Sequence, residues 1–196
     1  WLIIFVGAAV LHTLRFMFID YGIKEIGLSK ELASFLSGSL AGFMAIGSLI
    51  SAFYIKFLER KRVFTIIGLL TPIALSIILI TNNSYLLLMS FLFLGLVSGF
   101  GYFFGLYYAL ADQENSTSNV AVNEALTGIA ALIMPFIFGY IASNLSYFMA
   151  FLFMMIISLI CYTIAIYIMW QKKRTAMLKE KFNNLVKRID DNYRNK

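Results

Sequence analysis

A few ionisable side chains interrupt otherwise apolar stretches of this sequence, and these residues could bind a polar ligand or move a proton. His12 and Arg15 stand three positions apart in the first stretch, so in a helix they share one face. Glu124 follows Asn123 just inside a later stretch. Ionisable side chains are costly inside a membrane and usually face a bundle interior or a wet cavity. The pattern therefore indicates a polar pathway.

The pair in the first stretch has two interpretations. In the first, Arg15 binds an anionic group of a solute, His12 hydrogen-bonds the solute or carries a proton, and the neighbouring Phe16 contacts the solute. In the second, Arg15 pairs with an acidic residue outside this chain and only stabilises the fold. Asp20 is close enough to the end of the stretch for its carboxylate to reach the membrane surface.

Glu124 also has two interpretations. It could be a proton-coupling carboxylate, or it could bond to the inner loop and hold a gate shut. Tyr102, Tyr107 and Asn123 lie at a similar depth and are candidate solute contacts. Aromatic residues near a membrane surface commonly serve as interfacial anchors, so that interpretation of the tyrosines stays open.

The sequence has no constellation typical of an enzyme or a metal site. It contains one His and one Cys, Cys161, which excludes a His/Cys zinc site and an intrachain disulfide. No nucleotide-binding G-x-x-x-x-G-K motif occurs. We therefore predict a protein that is not an enzyme and has no cofactor.

Six long apolar stretches must position these residues. The chain is 61% hydrophobic and 13% charged, whereas a soluble domain carries about a quarter charged residues. A bilayer core about 30 Å thick needs about 20 apolar residues per helix. The composition predicts an all-α, polytopic membrane protein with six transmembrane helices, and Ser29 is a predicted N-cap of the second. The stretches cover about 1–21, 33–57, 63–81, 84–110, 120–143 and 146–170.

The basic residues are distributed unevenly between alternate connections. The link after the second stretch contains Arg60, Lys61 and Arg62, and nine of the 16 Lys and Arg residues follow Trp170. Loops rich in Lys and Arg stay in the cytoplasm, so both chain ends are predicted to be cytoplasmic, in a cell (plasma) membrane. The net charge of +6 is therefore attributed to topology and contact with membrane lipid, and no nucleic-acid binding is predicted.

Residues 171–196 form a basic tail that is predicted to be an amphipathic helix. Its apolar residues recur at helical spacing, at Leu178, Phe182, Leu185 and Ile189. Lys and Arg residues are frequent between them. The tail either lies on the inner membrane surface or extends the sixth helix into solvent.

Small residues predict close helix packing in two stretches. In the second, Ser34, Gly38 and Gly42 recur every four residues and share one face. In the fourth, two GxxxG patterns overlap, at 95/99 and 101/105. Faces of this kind let membrane helices approach closely.

Two segments resemble motifs of a known transporter family. Phe57-Leu58-Glu59-Arg60-Lys61-Arg62 is similar to a degenerate G-x-x-x-D-R-x-G-R-R loop, with the basic cluster kept and the glycines and aspartate absent. The join between the fourth and fifth stretches resembles the family's tenth and eleventh helices. It comprises residues 102–110, the polar link after them, and Asn123-Glu124-Ala125 with Gly128, Pro135 and Gly139. The chain thus resembles the C-terminal six-helix half of a major facilitator superfamily transporter.

This resemblance implies a transporter of about twelve helices whose N-terminal six-helix half is missing here, so the chain is expected to be part of a longer protein. It implies a 3+3 inverted repeat, with helices one and four lining a cavity, two and five flanking it, and three and six facing lipid. It also implies that Arg60, Lys61 and Arg62 lie where such proteins close their inner gate.

The function that follows is secondary active transport of a small solute by alternating access, with H⁺ as a candidate coupling ion. The alternative is a six-helix homo-oligomeric channel or a membrane scaffold subunit.

Overall fold

The computed structural model contains six long α-helices. It describes the backbone of residues 1–55, 60–111 and 113–194, and the side chains of residues 1–55, 62–111 and 113–171. No β-strand occurs in these ranges, so the predicted all-α fold is confirmed. The helices are α1 (Leu2–Lys24), α2 (Lys30–Tyr54), α3 (Arg60–Ile80), α4 (Ser84–Leu110), α5 (Ser116–Asn144) and α6 (Tyr147–Arg194).

All six helices are long and apolar enough to cross a membrane within the described part of the chain. The shortest apolar section, Arg62–Ile80, has 19 residues. At about 1.5 Å per residue it is about 28 Å long, which matches a bilayer core about 30 Å thick. The prediction of a polytopic membrane protein is therefore confirmed.

Local sequence determines where several helices begin. Ser29, the predicted N-cap of α2, accepts a hydrogen bond from the amide of Leu32 at 3.2 Å. Asn83 caps α4 in the same way by accepting from the amide of Tyr85 at 2.9 Å. Gly27 has a φ of +77°, a conformation that favours glycine and lets the chain reverse between α1 and α2.

Five of the helices extend beyond the predicted apolar stretches, α1 and α2 by three residues each. α3 begins at Arg60 and α5 at Ser116, so residues 60–62 form the first turn of α3 instead of a loop. α6 continues without a break to Arg194, and the basic tail is therefore helical and continuous with the sixth span. Hydropathy marks only the apolar section of a helix, and polar terminal turns lie outside that section. The position of the tail relative to the membrane stays a prediction.

α1 packs against four other helices of the bundle. It contacts α2, α4, α5 and α6, and its side chains Leu14 and Phe18 are completely buried. The Phe18 ring meets Phe91 of α4 edge-on, with ring centroids 4.5 Å apart. Tyr21 meets Phe151 of α6 in the same way at 4.7 Å. These aromatic contacts join three helices in one core.

The two ends of the bundle are defined by different contacts. At the first, which we call the Tyr147 end, the Tyr21 hydroxyl donates to the Ile78 carbonyl at 3.4 Å and the Tyr21 ring lies 6.1 Å from that of Tyr147. At the second, the Asn123 end, Ile4 of α1, Gly105 of α4 and Asn123 of α5 meet. The predicted topology makes the Asn123 end cytoplasmic.

α2 and α4 are in direct backbone contact along much of their length. A Cβ atom on Gly47 would lie 2.9 Å from the Leu96 Cα, and one on Gly99 would lie 2.7 Å from the Ser48 amide nitrogen. The Ser48 hydroxyl donates to the Gly99 carbonyl at 3.2 Å, which ties the two helices together. Glycines at these positions are therefore required by the approach of the two helices.

The small face predicted on α2 is not the one that packs inside this bundle. Nothing lies within 4 Å of a Cβ atom placed on Gly38 or Gly42, and Ser34 is exposed. Instead, Gly99 of α4 lies against Gly47 and Ser48 of α2. Gly95 of α4 lies against Phe43 and Met44 of α2. Helical periodicity shows that small residues share a face but not which neighbour they meet.

The outward faces of the helices differ in polarity. Ile66, Leu69 and Ile73 form an exposed apolar stripe on α3, which suits contact with lipid tails. α1 instead exposes the charged side chains of Arg15 and Asp20, and α5 exposes Glu124. Exposed charge inside the apolar helices therefore lies on α1 and α5.

Candidate functional site

The first group of predicted site residues lies along the exposed side of α1. Arg15 and Phe16 are exposed, and His12 is half-buried one turn before them, within electrostatic reach of Arg15. The backbone of this turn is tied to α2, because the Ser37 hydroxyl donates to the Arg15 carbonyl at 2.9 Å. The predicted sharing of one helix face by His12 and Arg15 is therefore seen in the structure.

The Arg15 guanidinium has no ion-pair partner among the described residues. A charged side chain at the centre of a membrane helix costs about 2.5–3.5 kcal/mol on insertion scales when it faces lipid. Fourteen residues precede Arg15 and nine residues of α1 follow it, so it lies too deep for either helix end to place it outside the hydrocarbon. A charge at this position in a membrane helix favours contact with water or with another protein segment that supplies an anion.

A second polar group occupies the Asn123 end. The Asn123 side chain is completely buried, and its amide nitrogen donates to the Glu124 carboxylate at 3.2 Å. The Glu124 side chain is exposed, and Tyr102 of α4 lies close enough to interact with its charge and to hydrogen-bond it. Three of the predicted site residues are thus brought together from two helices.

Gly105 makes room for this group. A Cβ atom at Gly105 would lie 3.2 Å from the Asn123 side-chain oxygen and 3.1 Å from the Ile4 Cδ1. Within the described part of the chain, the Asn123 side-chain oxygen has no hydrogen-bond partner, and it lies against Gly105 of α4. The GxxxG pattern at 101/105 contained Gly105, but the sequence did not indicate that it would lie against Asn123.

Because Asn123 is buried, its contact with a solute would be indirect. Its amide holds one oxygen of Glu124, and the Thr127 hydroxyl in turn donates to the Asn123 carbonyl at 2.9 Å. These bonds fix Glu124 on the exposed side of α5. The prediction that Asn123 binds solute directly stays a prediction.

Tyr107 stands apart from both groups. Its side chain is partly exposed, and its ring packs edge-on against Tyr108, with centroids 5.2 Å apart. Tyr108 in turn contacts the rings of Phe104 and Phe64. This aromatic cluster joins the end of α4 to the start of α3.

The predicted inner gate is only partly described. The side chains of Arg60 and Lys61 lie outside the described residues, as do Lys56–Glu59. Arg62 is exposed in the first turn of α3. The gate role of the three basic residues stays a prediction.

The two polar groups lie at different depths. Ile4 is level with Asn123, and Arg15 follows it by 11 residues, which is about 16 Å along α1. Arg15 and Glu124 therefore do not form one ion pair within this bundle. Across the described residues, no three His, Cys, Asp or Glu side chains are close enough to share a metal ion.

Six apolar helices with charged groups at two depths define a polytopic helical membrane protein. The family model of the Major Facilitator Superfamily matches residues 1–190, and the chain belongs to that family. It is accordingly a major facilitator transporter sequence, and this family assignment argues against an enzyme. A search of the curated proteins found no significant match.

Proposed function

We propose that this chain is the C-terminal six-helix half of a secondary active transporter that moves a small solute by alternating access. The observation that carries the proposal is the exposed Arg15 guanidinium, which has no ion-pair partner in the described residues. A charge at this depth is stable beside a wet cavity. The missing N-terminal half would close the other side of that cavity.

The exposure of α5 supports a partner half. Only 11% of its apolar window is buried within the bundle, compared with 50% for α1. Gly128 and Gly139 on α5, like Gly38 and Gly42 on α2, have no neighbour within 4 Å of a Cβ position. α2 and α5 both contact α1 and both have uncovered small residues. These residues would let a second bundle pack closely over the surface that exposes Arg15.

Arg15 is proposed to bind an anionic or strongly polar group of the solute, with His12 and Phe16 beside it. The test is Arg15→Ala in the full-length parent protein, reconstituted in proteoliposomes and offered a mixture of small anions, cations and neutral metabolites. Mass spectrometry of the vesicle contents measures uptake. We expect Arg15→Ala to lose uptake of the solute that the wild type takes up. Arg15→Lys should retain part of this uptake because it keeps the charge.

The controls separate a transport defect from a folding defect. Both Arg15 variants should reconstitute in the same amount as the wild type, because the guanidinium makes no ion pair in the described bundle. Full uptake by Arg15→Ala would contradict the proposal. Steady ionic currents from this chain alone in planar bilayers would favour the alternative, a homo-oligomeric channel.

We further propose that Glu124 is the proton-coupling carboxylate, supported by its exposure and by its two neighbours, Asn123 and Tyr102. Glu124→Gln keeps the shape but carries no exchangeable proton. Uptake should therefore no longer respond to an imposed pH gradient. Glu114→Gln in the exposed link before α5 is the matched control and should respond like the wild type. An unchanged response in Glu124→Gln would remove the coupling role.

The proposed location is the plasma membrane with a cytoplasmic C-terminus, based on the basic residues at 60–62 and after Trp170. The same distribution suits contact of the tail with anionic lipid. A protease-sensitive tag placed after Lys196 tests the orientation. It should be protected in intact cells and cleaved after permeabilisation, and cleavage in intact cells would reverse the topology.

A further inference from the structure

A cavity of about 380 Å³ lies at the Tyr147 end, between α1, α5 and α6. Small-molecule sites commonly have volumes of about 300–1,000 Å³. It shares Phe16 with the group around Arg15 and is separate from the Asn123 group. Asp20 in its wall follows Arg15 by five residues, about 7.5 Å along α1, and the Asn123 group is at the opposite end of the bundle.

One wall of the cavity presents an anion, a cation and an aromatic ring together. The Lys24 ammonium lies 3.2 Å from the Asp20 carboxylate. The Tyr147 hydroxyl donates to the same carboxylate oxygen at 3.4 Å, and the Lys24 nitrogen lies 5.9 Å from the centre of the Tyr147 ring. The three groups therefore come from both α1 and α6 and hold a defined arrangement.

Both charges keep free capacity for a ligand. The Asp20 and Lys24 side chains are 60% and 61% exposed. A carboxylate accepts about four hydrogen bonds and an ammonium donates three. In the described residues, both contacts to the Asp20 carboxylate go to one oxygen, which leaves the second oxygen open.

The remaining walls suit an apolar body. Phe16 contributes a ring that is 66% exposed, and Gly139 of α5 contributes bare backbone with nothing within 4 Å of its Cβ position. Ser143 adds a hydroxyl near the rim. A compact hydrocarbon or aromatic group could therefore lie between α1 and α5.

We propose that this cavity binds a small zwitterionic solute, with an ammonium and a carboxylate on one apolar body. Its carboxylate meets Lys24, and its ammonium meets Asp20 beside the Tyr147 ring, where cation–π attraction adds to the ion pair. A ligand with one charge is attracted by one member of the Asp20–Lys24 pair and repelled by the other. A ligand with two opposite charges, aligned against the pair, satisfies both.

Three probes with the same aromatic body test the charge requirement. They are phenylalanine, 2-phenylethylamine, which lacks the carboxylate, and 3-phenylpropionate, which lacks the ammonium. Binding to the full-length parent protein in lipid nanodiscs is measured by isothermal titration calorimetry at neutral pH. We expect saturable binding of phenylalanine, with each of the other probes at least tenfold weaker. Equal affinity for all three, or no saturable binding of phenylalanine, overturns the proposal.

Variants locate the binding in this cavity. Gly139→Leu fills it from the α5 side, and the open space at this position lets the helix keep its place. This variant should weaken phenylalanine binding at least tenfold. Asp20→Asn should weaken the binding of phenylalanine and of 2-phenylethylamine but not that of 3-phenylpropionate. Lys24→Gln should weaken the binding of 3-phenylpropionate but not that of 2-phenylethylamine. Lys30→Gln, at the first residue of α2 and outside the cavity, is the control.

Phenylalanine binding that is unchanged in Gly139→Leu contradicts the site, provided that circular dichroism shows a folded variant. If Gly139→Leu fails to fold, Asp20→Asn and Lys24→Gln decide, because they leave the cavity volume unchanged. Equilibrium binding needs no transport, so this outcome is independent of the Arg15→Ala uptake test.

Discussion

The backbone contact between α2 and α4 makes a sharp prediction about glycine. A methyl group on Gly99 would lie 2.7 Å from the Ser48 nitrogen and 3.0 Å from the Gly47 carbonyl carbon, and closer still to the Met44 carbonyl oxygen. Non-bonded carbon atoms prefer separations of about 3.5–4.0 Å. Gly99→Ala therefore requires α2 and α4 to separate by about 0.5–1 Å.

The expected cost combines three terms. Overpacking of this kind costs about 1–3 kcal/mol. Separation also lengthens the 3.2 Å bond from Ser48 to the Gly99 carbonyl, and such interhelical bonds in membranes contribute about 0.6 kcal/mol. Alanine regains about 1 kcal/mol because it favours the helix more than glycine does. The net free energy of unfolding should fall by about 0.6–2.6 kcal/mol.

Gly42→Ala is the matched control on the same pair of helices. Nothing lies within 4 Å of its Cβ position, so only the helix propensity term acts. Its stability should be unchanged or higher by up to about 1 kcal/mol. The two substitutions are chemically identical and are expected to change stability in opposite directions.

The assay is unfolding of the purified chain in mixed SDS and detergent micelles, followed by circular dichroism. Gly99→Ala should shift the midpoint to lower SDS, and Gly47→Ala should shift it in the same direction. A Gly99→Ala protein as stable as the wild type would refute the packing argument. So would a Gly42→Ala protein that loses as much stability as Gly99→Ala.

Two further predictions concern buried polar groups. Among the described residues, the buried Tyr162 hydroxyl makes no hydrogen bond of ordinary geometry, and the nearby Thr71 hydroxyl donates to the Ile67 carbonyl of its own helix. Tyr162→Phe should therefore leave SDS stability unchanged or raise it by up to about 1 kcal/mol. A clear loss of stability would show that the hydroxyl is paired. The Ser90 hydroxyl of α4 donates to the Ala74 carbonyl of α3 at 2.6 Å, so Ser90→Ala should cost about 0.6–1.7 kcal/mol in the same assay. Ser39→Ala, which removes a hydroxyl bonded within its own helix, should cost less, and equal losses would contradict an interhelical role for Ser90.

Much of the fold could be predicted from the sequence because its signals are local. Apolar length indicated six membrane helices, and Ser29 was recognised as the N-cap of α2 from its position before Lys30 and Glu31. The family followed from the basic cluster and from the Asn123-Glu124 segment, and the match over residues 1–190 confirms it. Each of these signals depends on residues that are close together in the chain.

The site was only partly predictable. The shared face of His12 and Arg15 follows from a spacing of three residues, and it is present in the structure. The approach of Tyr102 to Glu124 joins α4 to α5, and no periodicity predicts the rotation of one helix relative to another. Gly105 contributes to this contact only because Asn123 lies against it.

The sequence by itself determined the class of protein, the number of spans and the helix face that carries Arg15, because hydropathy and helical spacing are properties of single segments. Only the tertiary structure decided that Gly47, Gly95 and Gly99, and not Gly38 and Gly42, hold α2 against α4. It also placed Tyr147 of α6 beside Asp20 and Lys24 of α1. The physical reason is that several small or polar faces are available on each helix, and their pairing depends on how all six helices fit together.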